Sequence, residues 1–112
     1  MMREVDLVEM IDLLQADALR RWVELGWIVP RSHQEGARFE DADVARVRLI
    51  CDLIYDLECG EESVPVILSL LDQLHDARRT LKALAAAIDE QPETIRQRVA
   101  ERARAALRRD GR

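Results

Sequence analysis

The sequence predicts a mainly α protein: a helix-turn-helix head with a small β-hairpin wing, then a long coiled-coil helix and a short basic C-terminal helix. Three observations point there. Apolar residues recur at helical spacing over most of the chain. That period breaks at one β-prone run, Trp27-Ile28-Val29. From Ile67 to Ile88 a heptad pattern runs without a gap. At 112 residues, 48% apolar and 35% charged, the chain is long enough for one core and too apolar for a disordered coil.

The first helix is expected to begin at Asp6, with Glu9 three residues on in capping-box spacing. Leu7, Met10, Ile11 and Leu14 form its apolar stripe. Gln15-Ala16-Asp17 reads as a turn into a second helix that reaches Glu24, with Gly26 as its stop. Leu19, Trp22, Val23 and Leu25 are its apolar residues. Two helices joined by a few residues are the skeleton of a helix-turn-helix unit. Trp27-Ile28-Val29 and Ala37-Arg38-Phe39 are then expected as two strands around the polar tip Arg31 to Gly36, which makes the wing.

The third helix is expected to be capped by Glu40 or Asp41, with Asp43 in its first turn. Val44, Val47, Ile50 or Cys51, Ile54 and Leu57 recur along it, and Gly60 ends it. Ser63 caps the fourth helix, and Pro65 sits in its first turn, where a missing N–H costs nothing. There Ile67, Leu70, Leu74, Ala77, Leu81, Leu84 and Ile88 alternate by three and four. Such a stripe either packs on its own head or forms a seam with a second copy, and an exposed apolar stripe favours the second copy. The predicted dimer seam is Ile67, Leu70, Leu74, Leu81, Leu84 and Ile88. Asp89-Glu90-Gln91-Pro92 breaks the helix, and the segment from Glu93 to Arg109 is basic, with Ile95, Val99 and Ala103 on one face. The expected boundaries are residues 1–65, 66–89 and 90–112.

Charge divides the chain sharply. Residues 1–76 hold seven arginines, no lysine and 17 acids, a formal −10, whereas residues 77–112 are +5. A duplex-reading module must neutralise phosphates, and its affinity falls with salt in proportion to those contacts. This head starts that task with the wrong sign. Its acids gather at Glu40, Asp41 and Asp43, and again at Asp52, Asp56, Glu58, Glu61 and Glu62. Each alone reads as a cap or a solvated charge; together they give a negative face that speeds encounter with a basic partner. Were DNA the ligand, Arg20, Arg21, Arg38, Arg46 and Arg48 would meet the phosphates, although Arg38 beside the wing more naturally pairs with a local carboxylate.

No chemistry-bearing constellation stands out. Cys51 and Cys59 are too few and too far apart for a disulfide framework or a zinc site, with Cys51 expected buried and inert and Cys59 partly exposed. His33 and His75 read as surface residues, Trp22 as core, and Trp27 as either core or anchor. No nucleophile–base pair, phosphate loop or metal motif is visible, so neither an enzyme nor a bound cofactor is expected. The start of the chain lacks the apolar run of a signal peptide, and no run approaches the ~20 residues of a membrane span; a cytoplasmic protein is expected.

The run Leu19-Arg20-Arg21-Trp22-Val23-Glu24-Leu25-Gly26-Trp27-Ile28-Val29-Pro30, with Arg38-Phe39 and Asp43 to Ile50 after it, resembles the MerR-type regulators. Gly26-Trp27-Ile28-Val29-Pro30, and Ser63-Val64-Pro65 leading into Leu70-Leu71-Asp72, look most like the chaperone-modulator (CbpM) branch of that superfamily. The likeness runs from about Val5 to Ile88. It implies a MerR-like winged helix-turn-helix head and a homodimer made through the long helix. It also implies binding to the J-domain of a DnaJ/CbpA-type co-chaperone, which blocks that protein's work with its DnaK-type chaperone. MerR regulators usually carry an Arg-Tyr-Tyr-Glu-Arg run in the second helix. Here Arg20 matches, but Arg21-Trp22-Val23-Glu24 follows and both tyrosines are gone. A MerR-family transcriptional regulator is the competing expectation, and a dimerisation module without a defined client is a third.

Overall fold

The computed structural model describes residues 1–111. The chain runs through strand β1 (Met2–Arg3), helices α1 (Glu4–Met10) and α2 (Ala16–Glu24), and strands β2 (Arg31–His33) and β3 (Gly36–Phe39). Helix α3 (Asp41–Cys51) passes directly into a π-helical turn at Asp52–Asp56, and helices α4 (Val64–Asp89) and α5 (Glu93–Arg109) follow. The chain divides into two compact units, Met1–Leu70 and the residues from Leu71 onward.

In the first unit, α1 begins two residues earlier than expected. The Arg3 N–H donates to Asp6 Oδ2 at 2.9 Å, so Asp6 is the carboxylate that closes the first turn, not Glu9. The helix stops at Met10, and Leu13 adopts a left-handed backbone (φ 69°). Leu7, Ile11 and Leu14 are buried while Met10 is exposed, so the apolar stripe leaves the helix and continues through the turn. Helix α2 ends as its sequence dictates. Gly26 has φ +79°, its N–H donates to the Val23 carbonyl, and the Trp27 N–H donates to the Trp22 carbonyl. This paired closure is a Schellman motif, which favours glycine at the left-handed position.

The wing differs from expectation in register. Trp27-Ile28-Val29 is not a strand; Trp27 and Ile28 plug the core instead, and the first hairpin strand begins after Pro30, at Arg31. The segment expected as a tip is therefore half strand. The pairs Arg31↔Arg38, Ser32↔Ala37 and His33↔Gly36 leave only Gln34 and Glu35 as the loop. β-propensity reported burial here, not pairing, and Pro30 offers no N–H to a ladder. A third strand was invisible in the pattern because it is two residues long: β1 pairs antiparallel with β3, Met2 opposite Phe39.

Helix α3 opens as expected, with Glu40 at the cap and its N–H donating to Asp43 Oδ2 at 2.9 Å. Its end is not as expected. The Leu57 N–H reaches the Asp52 carbonyl at 2.9 Å, five residues back, which widens the turn. The extra residue shifts the helical phase, so Leu53 is buried and Leu57, counted in the predicted stripe, is 68% exposed. The core formed by these elements contains Leu7, Leu19, Trp22, Ile28, Phe39, Val47 and Ile50, and the first turns of α4 add Val64 and Leu68. Trp22 and Trp27 stack with ring centroids 6.5 Å apart. Both tryptophans belong to this core, which settles the open position of Trp27.

In the second unit α4 continues to Asp89, and α5 starts where Pro92 accepts from the Ile95 and Arg96 N–H groups. No described residue of this unit is buried. Among the described residues, no helix is long and apolar enough to cross a membrane.

Candidate interaction surface

The acidic positions of the head fall into two groups once their partners are known. Glu40, Asp43 and Glu61 are engaged locally. Glu40 caps α3 and meets Arg31 Nε at 2.8 Å, Asp43 closes the capping box, and Glu61 is held by Arg21. Asp41, Asp52, Asp56, Glu58 and Glu62 are exposed and carry no ion pair among the described residues. Glu58 sits in a left-handed backbone conformation (φ 52°) just past the π-helical turn, and the Glu62 carboxylate lies over Gly60.

The π-helical turn makes something more specific than a charged face. Asp52 and Asp56 line a cleft of about 290 Å³ together with Asp12 and Leu13, which the turn after α1 brings in. Ile11, Cys51 and Tyr55 form its apolar surfaces, and Arg48 is the single cation that lines it. Burial, reinforced by the neighbouring Asp52 carboxylate, pushes the Cys51 thiol up to about 11, so this cysteine stays protonated and inert at neutral pH. The Tyr55 hydroxyl is raised by burial first and by Cys51 second. Sequence reasoning found Asp52 and Asp56 but missed Asp12 and Tyr55. Asp12 was hidden by the assumption that α1 continues, and Tyr55, the sole tyrosine, carried no motif.

The arginines that would serve DNA are mostly occupied. Arg20 Nε lies 2.9 Å from Glu4 Oε1, and Arg21 makes two hydrogen bonds to Glu61. Arg38 is only 17% exposed; it meets Glu35, as expected of a wing arginine, and donates to the Ala37 carbonyl at 3.1 Å. Arg46 donates from Nε to the Trp27 carbonyl and so ties α3 to the segment that plugs the core. Arg48 lies among the carboxylates of the cleft.

On α4 the seam positions divide as well. Leu70, Leu74, Leu81 and Leu84 are exposed, while Ile67 and Ile88 are half-buried. The residue that fixes the start of α4 to the core is Leu68, outside the heptad stripe. His33 and His75 are exposed, and Cys59 is half-buried. Among the described residues no group of three or more His, Cys, Asp or Glu could hold a metal ion.

Residues 5–86 match a family described as MerR HTH family regulatory protein. The chain belongs to this family. The match covers the head from residue 5 and most of α4, and it ends before α5. No curated protein and no solved structure matches the chain. Within the MerR family plan, the helix-turn-helix is α1–α2, the wing is β2–β3, and the surface arginines of α2 face carboxylates of the same head.

Proposed function

We propose that this MerR-family chain is a chaperone modulator. It would bind the J-domain of a DnaJ/CbpA-type co-chaperone and inhibit that protein's action with its DnaK-type chaperone. The observation that carries this reading is the fate of the head's charges. Arg20, Arg21 and Arg38 are spent on the head's own carboxylates, while Asp41, Asp52, Asp56, Glu58 and Glu62 remain open. A surface with that balance repels phosphates and attracts a basic polypeptide. The resemblance to the chaperone-modulator branch supplies the identity of that polypeptide, because J-domains present a basic helix to their chaperone. Inhibition then needs no chemistry: occupying the helix denies it to the chaperone.

The working form in this reading is a homodimer joined through Ile67, Leu70, Leu74, Leu81, Leu84 and Ile88. Four of these are exposed leucines on one stripe, the kind of apolar surface that a second copy covers. The protein acts as a binding module rather than an enzyme and carries no cofactor.

Calorimetric titration of a purified J-domain tests the reading. The wild type is expected to bind saturably, and Asp52→Lys with Asp56→Lys to weaken binding by about tenfold or more, since close interfacial charge pairs couple by ~1.5 kcal/mol or more. An unchanged affinity would remove these two carboxylates from the interface.

A further inference from the structure

We propose that the cleft between the α1 turn and the π-helical turn is an insertion pocket for one arginine or lysine side chain, presented by a basic helix of a protein partner. The proposal rests on the modulator reading only for the name of that partner; the pocket itself is argued from its walls.

A long cationic side chain needs two surfaces at once, an apolar one for its stem and an anionic one for its head. The cleft supplies both. Tyr55, 37% exposed, and Leu13, 68% exposed, are apolar groups left open to solvent beside the free, buried thiol of Cys51. Around them stand Asp12, Asp52 and Asp56, none of which has an ion-pair partner among the described residues. The cleft of about 290 Å³ has room for one extended side chain. Asp52, Tyr55 and Asp56 come from one helical turn and line the same cleft, so a guanidinium held there meets two carboxylates and an aromatic ring.

Charge complementarity selects the occupant. Three carboxylates against the guanidinium of Arg48 leave the walls at a formal −2, which rejects anions. The same carboxylates make the cleft costly for an uncharged apolar ligand, which would desolvate them without compensation. Arg48 repels the cation that its neighbours attract.

The test measures binding of two probes. One is a labelled helical peptide with arginines along one face and leucines along the other, followed by fluorescence anisotropy; the second is a purified J-domain, followed by calorimetry. Asp12→Asn and Tyr55→Ala are expected to weaken peptide binding by about threefold and about fivefold, and Arg48→Gln to tighten it by about threefold. A variant that folds poorly cannot bind more tightly, so the gain in Arg48→Gln separates the pocket from a general loss of structure. Unchanged or weaker binding by Arg48→Gln, or no loss in Asp12→Asn, overturns the pocket. If the J-domain binds but ignores all three substitutions, the pocket fails while the modulator reading stands. If the peptide responds as stated and the J-domain does not bind, the modulator reading fails and the pocket stands.

Discussion

Arg21 grips Glu61 across 40 residues of chain, with Nε 3.1 Å from Oε1 and Nη2 3.0 Å from Oε2. The pair links α2 to the segment before α4. It takes an arginine that a DNA reader would place on a phosphate and commits it to the head's own surface. Hydrogen bonding to Arg21 is the largest cause that holds the Glu61 carboxyl below its ordinary 4.5, with the charge of Arg21 adding to it and desolvation opposing. A carboxylate whose folded-state value is depressed contributes stability above its unfolded value and loses it as pH falls through the folded one. The urea midpoint of wild type should therefore lie slightly above that of Glu61→Gln at pH 7, with the gap closing steadily below pH 4.5. The gap is small because both side chains are about half exposed. A gap that grows in acid would contradict the assignment.

Freeing the α2 arginines should move the protein toward nucleic acid. Glu4→Gln with Glu61→Gln releases Arg20 and Arg21 and removes two negative charges. Wild type is expected to leave a heparin column at low salt and the double variant distinctly later, since each phosphate-type contact steepens the salt dependence. Wild-type retention at physiological salt would mean that the arginines are available without help.

Leu68 rather than Ile67 ties α4 to the head, being 3% exposed. Leu68→Ala should cost about 2–5 kcal/mol in chemical unfolding of the head, the range for a leucine removed from a packed core. Val66→Ala, at a position 60% exposed and off the seam, should change stability by no more than about 0.5 kcal/mol. Equal effects would place the start of α4 in a different rotation about its axis.

The stripe on α4 is tested by breaking it. Leu81, 65% exposed, is the most open of the proposed seam residues. Leu81→Asp should convert a sedimenting dimer to monomer while leaving the tryptophan signal of the head unchanged. A wild type that already sediments as a monomer removes the dimer from the account.

All the buried hydrophobic residues of the described chain lie at Leu68 or before it. A chain ending at Glu90 should thus keep the near-ultraviolet signature of the Trp22–Trp27 stack and unfold at nearly the same temperature. A clear drop would assign α5 a part in holding the head.

The sequence carried the helical plan because helices announce themselves by period and by caps: Gly26 closes α2, and Glu40 caps α3 with Asp43 in its first turn, both as expected. It misplaced the wing because Trp27 and Ile28 have the composition of a strand and the job of core residues. It lost phase after Cys51 because a π-helical turn inserts a residue without any compositional mark, which sent Leu57 outward and Leu53 inward. The candidate cleft was half legible for the same reason. Asp52 and Asp56 could be read as a charge cluster, but Asp12 joins them where α1 stops at Met10 and the chain turns at Leu13, a break that the continuous apolar stripe from Leu7 to Leu14 conceals.

We propose that this head accepts a cationic polypeptide rather than a duplex. Its most direct test is a calorimetric titration of a purified DnaJ-type J-domain into the protein, run beside a gel-shift assay with random-sequence duplex at the same salt. A saturable J-domain isotherm that Asp52→Lys with Asp56→Lys weakens is expected, with no retarded duplex. A flat J-domain isotherm together with tight, sequence-selective duplex retardation would contradict it.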